Sequence, residues 1–113
     1  MDLVNEISAK VNDLEKCIKM LRKTGSEFAE AEREYKIILR QECLKLRDEG
    51  MAIGMIDKVC YGIQKVADAR FQRDIKQATY ESNKEAILSL KLQIRILDNQ
   101  LEREWGASGR GDL

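Results

Sequence analysis

DEGMAIGMIDKVCYG, residues 48–62, interrupts a chain that otherwise reads as long helix. It holds three of the seven glycines, Gly50, Gly54 and Gly62, with Met51, Ile53, Met55, Ile56 and Val59 between them. A glycine-bounded apolar stretch between two helical patterns reads as a corner. On that reading Gly50 ends the first helix as a left-handed cap. A turn of helix then carries Met55, Ile56 and Val59 onto the hairpin end, and Gly62 resets the direction. Met51, Ile53 and Met55 are expected to plug the open end of the core.

The flanks fix what the corner joins. Leu3, Ile7, Val11, Leu14, Ile18 and Leu21 form one apolar stripe at helical spacing. Gly25 challenges its continuity, because glycine costs a helix about 1 kcal/mol against alanine. Thr24 and Glu27 also fit a capping box that would start a new helix. Counting by sevens nevertheless leads from Leu21 to Phe28 and Tyr35, and from Ile18 through Gly25 to Leu39 and Leu46. The stripe survives the glycine, so a kinked or locally frayed helix is expected there and not a break. After Gly62 the pattern resumes and reaches Trp105 without another glycine. Phe71, Ile75, Ala78 and Ser82 are expected to form its first stripe, and Ile87, Leu90, Ile94, Leu97 and Leu101 its second.

The expected fold is therefore all-α: one domain over residues 1–105, a long antiparallel helical hairpin that assembles into a larger bundle. Helix one should cover about residues 2–48, the corner 49–62, and helix two 63–105. GASGRGDL, residues 106–113, reads as a flexible tail. Its GRGDL matches an integrin-ligand tripeptide, for which chance is the better explanation.

AILSLKLQIRIL, residues 86–97, alternates apolar and polar residues as a strand would. No turn signal bounds it and both flanks are helical in pattern, so it is read as helix. Wound that way it has two apolar faces. Ile87, Leu90, Ile94, Leu97 and Leu101 lie on one, while Leu88, Leu92 and Ile96 lie about 180° away. Helix one shows a fainter version, with Ile37 and Leu44 opposite the Tyr35–Leu39–Leu46 face. A two-helix hairpin buries one stripe per helix, and a second contiguous stripe calls for a partner. Self-association through Leu88, Leu92, Ile96, Ile37 and Leu44 is the favoured reading. A third helix, formed by the N-terminal segment folding back at Gly25, or a foreign partner are the alternatives.

Composition limits the chemistry. Lys+Arg and Asp+Glu both number 20 among 113 residues, so the formal net charge is zero and no basic field attracts nucleic acid or an acidic membrane. Histidine is absent, which removes the usual general base. No catalytic, cofactor or metal site is expected: Glu30, Glu32 and Glu34 point in different directions on a helix, and the Glu-x-x-His pattern of di-metal bundles does not occur. Cys17, Cys43 and Cys60 are widely spaced and read as reduced, apolar residues of a cytoplasmic protein. MDLVNEIS has no signal-peptide pattern and no run approaches a membrane span. The corner also resembles a helix-turn-helix, but its second helix, residues 54–61, offers only Lys58 as a basic group, beside Asp57.

AEREYKIILRQECLKLRDEG (31–50) and RFQRDIKQATYESNKEAILSLKLQIRILDNQLEREW (70–105) resemble small all-helical proteins encoded by bacteriophages and prophages. The marks are the EYK helix, the glycine-bounded corner, the Arg70–Arg73–Asp74–Tyr80 run and the terminal EREW. The resemblance implies a phage origin and a host cytoplasm, and it assigns no functional residues. The functional expectation is a non-enzymatic interaction or assembly module, a homo-oligomer, adaptor or host-factor binder. The alternative is an accessory of phage DNA replication or recombination that touches nucleic acid through the corner.

Overall fold

A computed structural model describes the backbone of residues 2–111 and the side chains of residues 2–106. Three α-helices follow one another: α1 over Leu3–Asp48, α2 over Ile53–Val59 and α3 over Gln64–Gly111, with a 3-10 turn at Cys60–Gly62 between the last two. No strand occurs among the described residues, and the alternating segment 86–97 is helical throughout. The all-α hairpin expected from the sequence is the fold observed.

Local chemistry sets the helix ends. Asp2 caps α1: its side-chain oxygen accepts the Val4 N–H at 3.0 Å. At the other end, the Gly50 N–H donates to the Arg47 carbonyl at 3.0 Å and the Met51 N–H to the Leu46 carbonyl at 3.1 Å. That pair of bonds is a Schellman cap, and it requires the left-handed φ of +90° found at Gly50. Gly54 and Gly62 behave otherwise than expected. Among the described residues Gly50 alone has a positive φ. Gly54 lies inside α2, and the turn into α3 is made by the extended backbone of Ile63 (φ −67°, ψ 131°), not by Gly62. Nor does α3 stop at Trp105. It continues to Gly111, because GASGRG contains no proline and glycine weakens a helix without blocking it. The rest of the expected tail, 112–113, lies outside the described residues.

The chain divides into two compact units, Lys23–Glu81 around the corner and Met1–Arg22 with Ser82–Leu113 around the termini. In each, a stretch of α1 lies against a stretch of α3. The terminal unit sets Leu3, Ile7, Leu14 and Leu21 inward from α1, and Ile87, Leu90, Ile94 and Leu97 inward from α3. Asn83 joins this seam, its amide donating to the Cys17 carbonyl at 3.0 Å.

The corner unit continues the same seven-residue repeat with different chemistry. From α1 it turns Thr24, Phe28, Ala31, Tyr35, Ile38 and Glu42 inward, and from α3 Val66, Ala69, Arg73, Lys76 and Tyr80. Phe28 and Tyr80 rings meet at 5.9 Å, and the Arg73 guanidinium sits 4.7 Å from the Tyr35 ring centre. Both contacts cross between the helices, as does the Lys76–Glu27 ion pair at 3.5 Å.

Three points of the sequence reading are decided by the structure. First, α1 passes through Gly25 without interruption, as expected, so the alternative of an N-terminal segment folded back there as a third helix does not form. A methyl group there would stand 3.1 Å from the Tyr80 ring, so the missing side chain at Gly25 makes room for that ring. Second, Phe71, Ile75, Ala78 and Ser82 are not an inward stripe. Phe71 is 61% exposed, and all four face solvent. Sevens counted back from Ile87 give Tyr80, Arg73 and Val66, and from Leu90 give Asn83, Lys76 and Ala69. The seam keeps this register although its side chains there are polar. On α1, Ile18 is likewise exposed, and Cys17 takes the inward position.

Third, of the residues expected at the corner Ile56 alone is buried, joined by Cys60 and Val66, whereas Met51 is half-buried and Ile53, Met55 and Val59 are exposed. Ile56 and Cys60 are four residues apart and share one face of the short helix and its 3-10 extension. Met55 and Val59, also four residues apart, share an adjoining exposed face, and Ile53 is at the helix start.

Two sets of substitutions test this description. Gly50→Ala should lower stability by about 1 kcal/mol, the cost of a left-handed non-glycine residue, while Gly54→Ala should be neutral or raise it by up to about 1 kcal/mol. Urea denaturation ranks them, and the reverse order would place the left-handed turn elsewhere. The seam register predicts that Tyr80→Ala costs about 2 kcal/mol or more, while Phe71→Ser stays within about 0.5 kcal/mol. Equal losses from the two would contradict the register.

Candidate interaction surface

The two-faced segment of α3 is the feature around which a site can be built. Winding residues 86–97 as helix sends Ile87 into the seam, where it is 8% exposed, and leaves Leu88 58%, Leu92 55% and Ile96 54% exposed. Their four-residue spacing stacks them into one continuous ridge. The charged residues beside the ridge are of both signs, with Glu81, Glu85 and Arg103 beyond its ends and Lys91 and Arg95 on its flanks. The ridge is therefore an apolar strip within a mixed-charge surface, close to neutral in sum.

Ile37 and Leu44 are exposed too, at 48% and 45%, but they belong to the corner unit. Leu44 there lines a cavity of about 460 Å³ together with Leu39, Cys43, Ile56, Cys60 and Tyr61. Burial pushes the Cys60 thiol up from its ordinary range, with Cys43 pushing the same way, and the thiol donates to the Asp57 carbonyl at 4.0 Å. At Gly50, Gly54 and Gly62 a side chain would meet open space.

Other exposed apolar residues were not singled out by the sequence pattern as surface. Ile53 is 69% exposed and Tyr61 47%, and Arg70 sits 5.8 Å from the Tyr61 ring centre. Tyr61 could have been suspected, since an aromatic residue beside Gly62 in a corner has little core left to enter. Trp105, at 71%, belongs to the terminal unit with the ridge.

Elsewhere in the corner unit, Ala31 and Ala69 stand at inward positions, and their short side chains leave an open groove of about 660 Å³. Its walls carry Glu27, Glu30, Glu34 and Asp68 against Lys65 and Lys76. The Glu27–Lys76 pair partly neutralises it. Among the described residues, no three Cys, Asp or Glu side chains gather as a metal-binding set, and no helix is long and apolar enough to cross a membrane. No family model, curated protein or solved structure matches the chain.

Proposed function

We propose that the protein is a non-enzymatic assembly module whose working state is a homo-oligomer joined along the Leu88–Leu92–Ile96 ridge of α3. The observation that carries this reading is the imbalance of apolar burial. Among the described residues, five hydrophobic side chains are buried and fifteen large ones are exposed. A two-helix hairpin has too little interior to cover more, and a contiguous apolar ridge on a soluble chain marks an association surface.

Charge favours a second copy in antiparallel orientation as the occupant. A two-fold axis at Leu92 places Leu88 against the partner's Ile96, Glu81 against the partner's Arg103 and Glu85 against the partner's Asn99. A parallel pair would set Arg95 against Arg95 and Glu85 against Glu85, which costs energy where the antiparallel pair gains it. Such a pair of hairpins is a four-helix assembly with each chain's seam intact. A phage setting for it is carried by the sequence resemblance alone.

Light scattering tests the reading. Burying a leucine fully contributes about 1.5–3 kcal/mol, and a charge in its place must be desolvated without a partner. Leu92→Glu should therefore lower the oligomeric state while far-ultraviolet circular dichroism keeps most of its helical amplitude. Ile94→Glu, directed into the seam, should lose helicity instead. An unchanged oligomer from Leu92→Glu with normal stability would refute the ridge as the interface.

A further inference from the structure

A second apolar surface belongs to the corner unit. Lys36, Leu39, Arg40, Cys43, Leu44 and Arg47 recur at the three- and four-residue steps that keep to one face of α1. All six line the cavity of about 460 Å³, together with Ile53, Ile56 and Asp57 of α2 and Tyr61 of the 3-10 turn. Ile56 is core, but Ile53 is 69%, Tyr61 47% and Leu44 45% exposed. Three large apolar side chains therefore meet water around one concavity, the form that binding sites usually take.

The charge of this concavity is one-sided. Lys36, Arg40 and Arg47 line it against Asp57 alone, in a chain whose net charge is zero. Lys36 has Glu32 at 4.0 Å on the surface. Arg40 and Arg47 pair with no carboxylate among the described residues. Arg70 adds a further cation, 5.8 Å from the Tyr61 ring centre. We infer that the cavity is the docking site for an acidic amphipathic helix of another protein, whose apolar face covers Leu44, Ile53 and Tyr61 while its carboxylates meet Arg40 and Arg47.

Spacing and charge both select that occupant. Arg40 and Arg47 stand seven residues apart, about 10 Å along α1, and carboxylates two turns apart on a second helix have the same separation. Each arginine can hold a carboxylate through two parallel hydrogen bonds, and the apolar anchors of a helix in a groove recur at three and four residues. A second copy of this chain is a poorer occupant, because its Leu88–Leu92–Ile96 ridge is flanked by Lys91 and Arg95, which would meet the arginines with like charge. Phosphates of a nucleic acid would satisfy the arginines but leave Ile53 and Leu44 in water.

Peptide binding to the 113-residue chain tests the inference. The probe is a fluorescein-labelled helical peptide of about four turns, with leucine along one face and glutamate on its flanks, followed by fluorescence anisotropy. Saturable binding that weakens as salt rises is expected. Twins with lysine for glutamate, or serine for leucine, should not bind. Arg40→Glu combined with Arg47→Glu should weaken the acidic peptide about tenfold or more and bind the lysine twin in its place, an inversion that a misfolded chain cannot give. Ile53→Ser, at an exposed residue, should also weaken the acidic peptide. Leu92→Glu should leave its binding unchanged, so failure here is distinct from failure of the ridge as the oligomer interface. No saturable binding of the acidic peptide, equal binding of both charge twins, or binding that survives the double arginine reversal would overturn the inference. So would a change in the chain's own oligomeric mass on that reversal, which would make a second copy the occupant. Arginine-dependent binding of single-stranded DNA or of phosphatidylglycerol vesicles without binding of the peptide would assign the cations to phosphate and overturn it as well.

Discussion

Two helices of more than forty residues stay in contact only if the residues facing each other recur every seven positions, because an unmodified α-helix drifts by about 20° per heptad. This repeat is the constraint on which the rest depends. In α1 it runs from Ile7 through Leu14, Leu21, Phe28 and Tyr35 to Glu42, and in α3 from Val66 through Tyr80 and Ile87 to Leu101. It holds across Gly25, and it holds where the seam residues are charged. A helix that followed its most apolar side chains instead would have turned Phe71 and Ile75 inward and lost the register set by Ile87 and Leu90.

That constraint explains the unusual make-up of the corner unit. Arg73 occupies an inward position because its guanidinium lies over the Tyr35 ring and reaches Asp74 at 2.9 Å. Glu42, more buried than Arg73, has Lys45 at 3.6 Å. At Asn83 a side-chain amide takes a backbone carbonyl of the other helix, a directional bond that fixes alignment where a leucine would tolerate slippage. Such groups give less stability than an apolar seam. What the two cross-helix contacts, Arg73 on the Tyr35 ring and Asn83 on the Cys17 carbonyl, supply is one preferred register, since a shifted hairpin would leave those groups without these partners.

Much of this was legible in the sequence. The apolar periods on either side of Gly50 gave helix one to within a residue at each end, and the alternating segment 86–97 showed its two faces before any coordinates did. The register through residues 66–83 was hidden, because hydrophobic pattern reading passes over Arg73, Lys76 and Asn83 in favour of the neighbouring Phe71 and Ile75. Only the partners of those polar groups, supplied by Tyr35, Glu27 and Cys17 from far away in the chain, make them inward residues. The corner was half legible for a similar reason. Gly50 has a conformational need that its position after a helix announces, but the choice of Ile56 and Cys60 over Met55 depends on where α2 begins. As for the candidate surface, Leu88, Leu92 and Ile96 follow from helical geometry. That Cys43 and Cys60 line one cavity does not, because the chain between them reveals nothing about proximity until the corner is folded.

The seam buries one face of α3, and the Leu88–Leu92–Ile96 ridge is exposed on another. Sedimentation equilibrium of the unmodified, reduced chain over a range of concentrations measures whether the ridge is an association surface. Association along the ridge predicts an average mass that rises with concentration from the 13.0 kDa of the single chain towards an even multiple of it, and does so without loss of helicity. A single 13.0 kDa species at every concentration would contradict it.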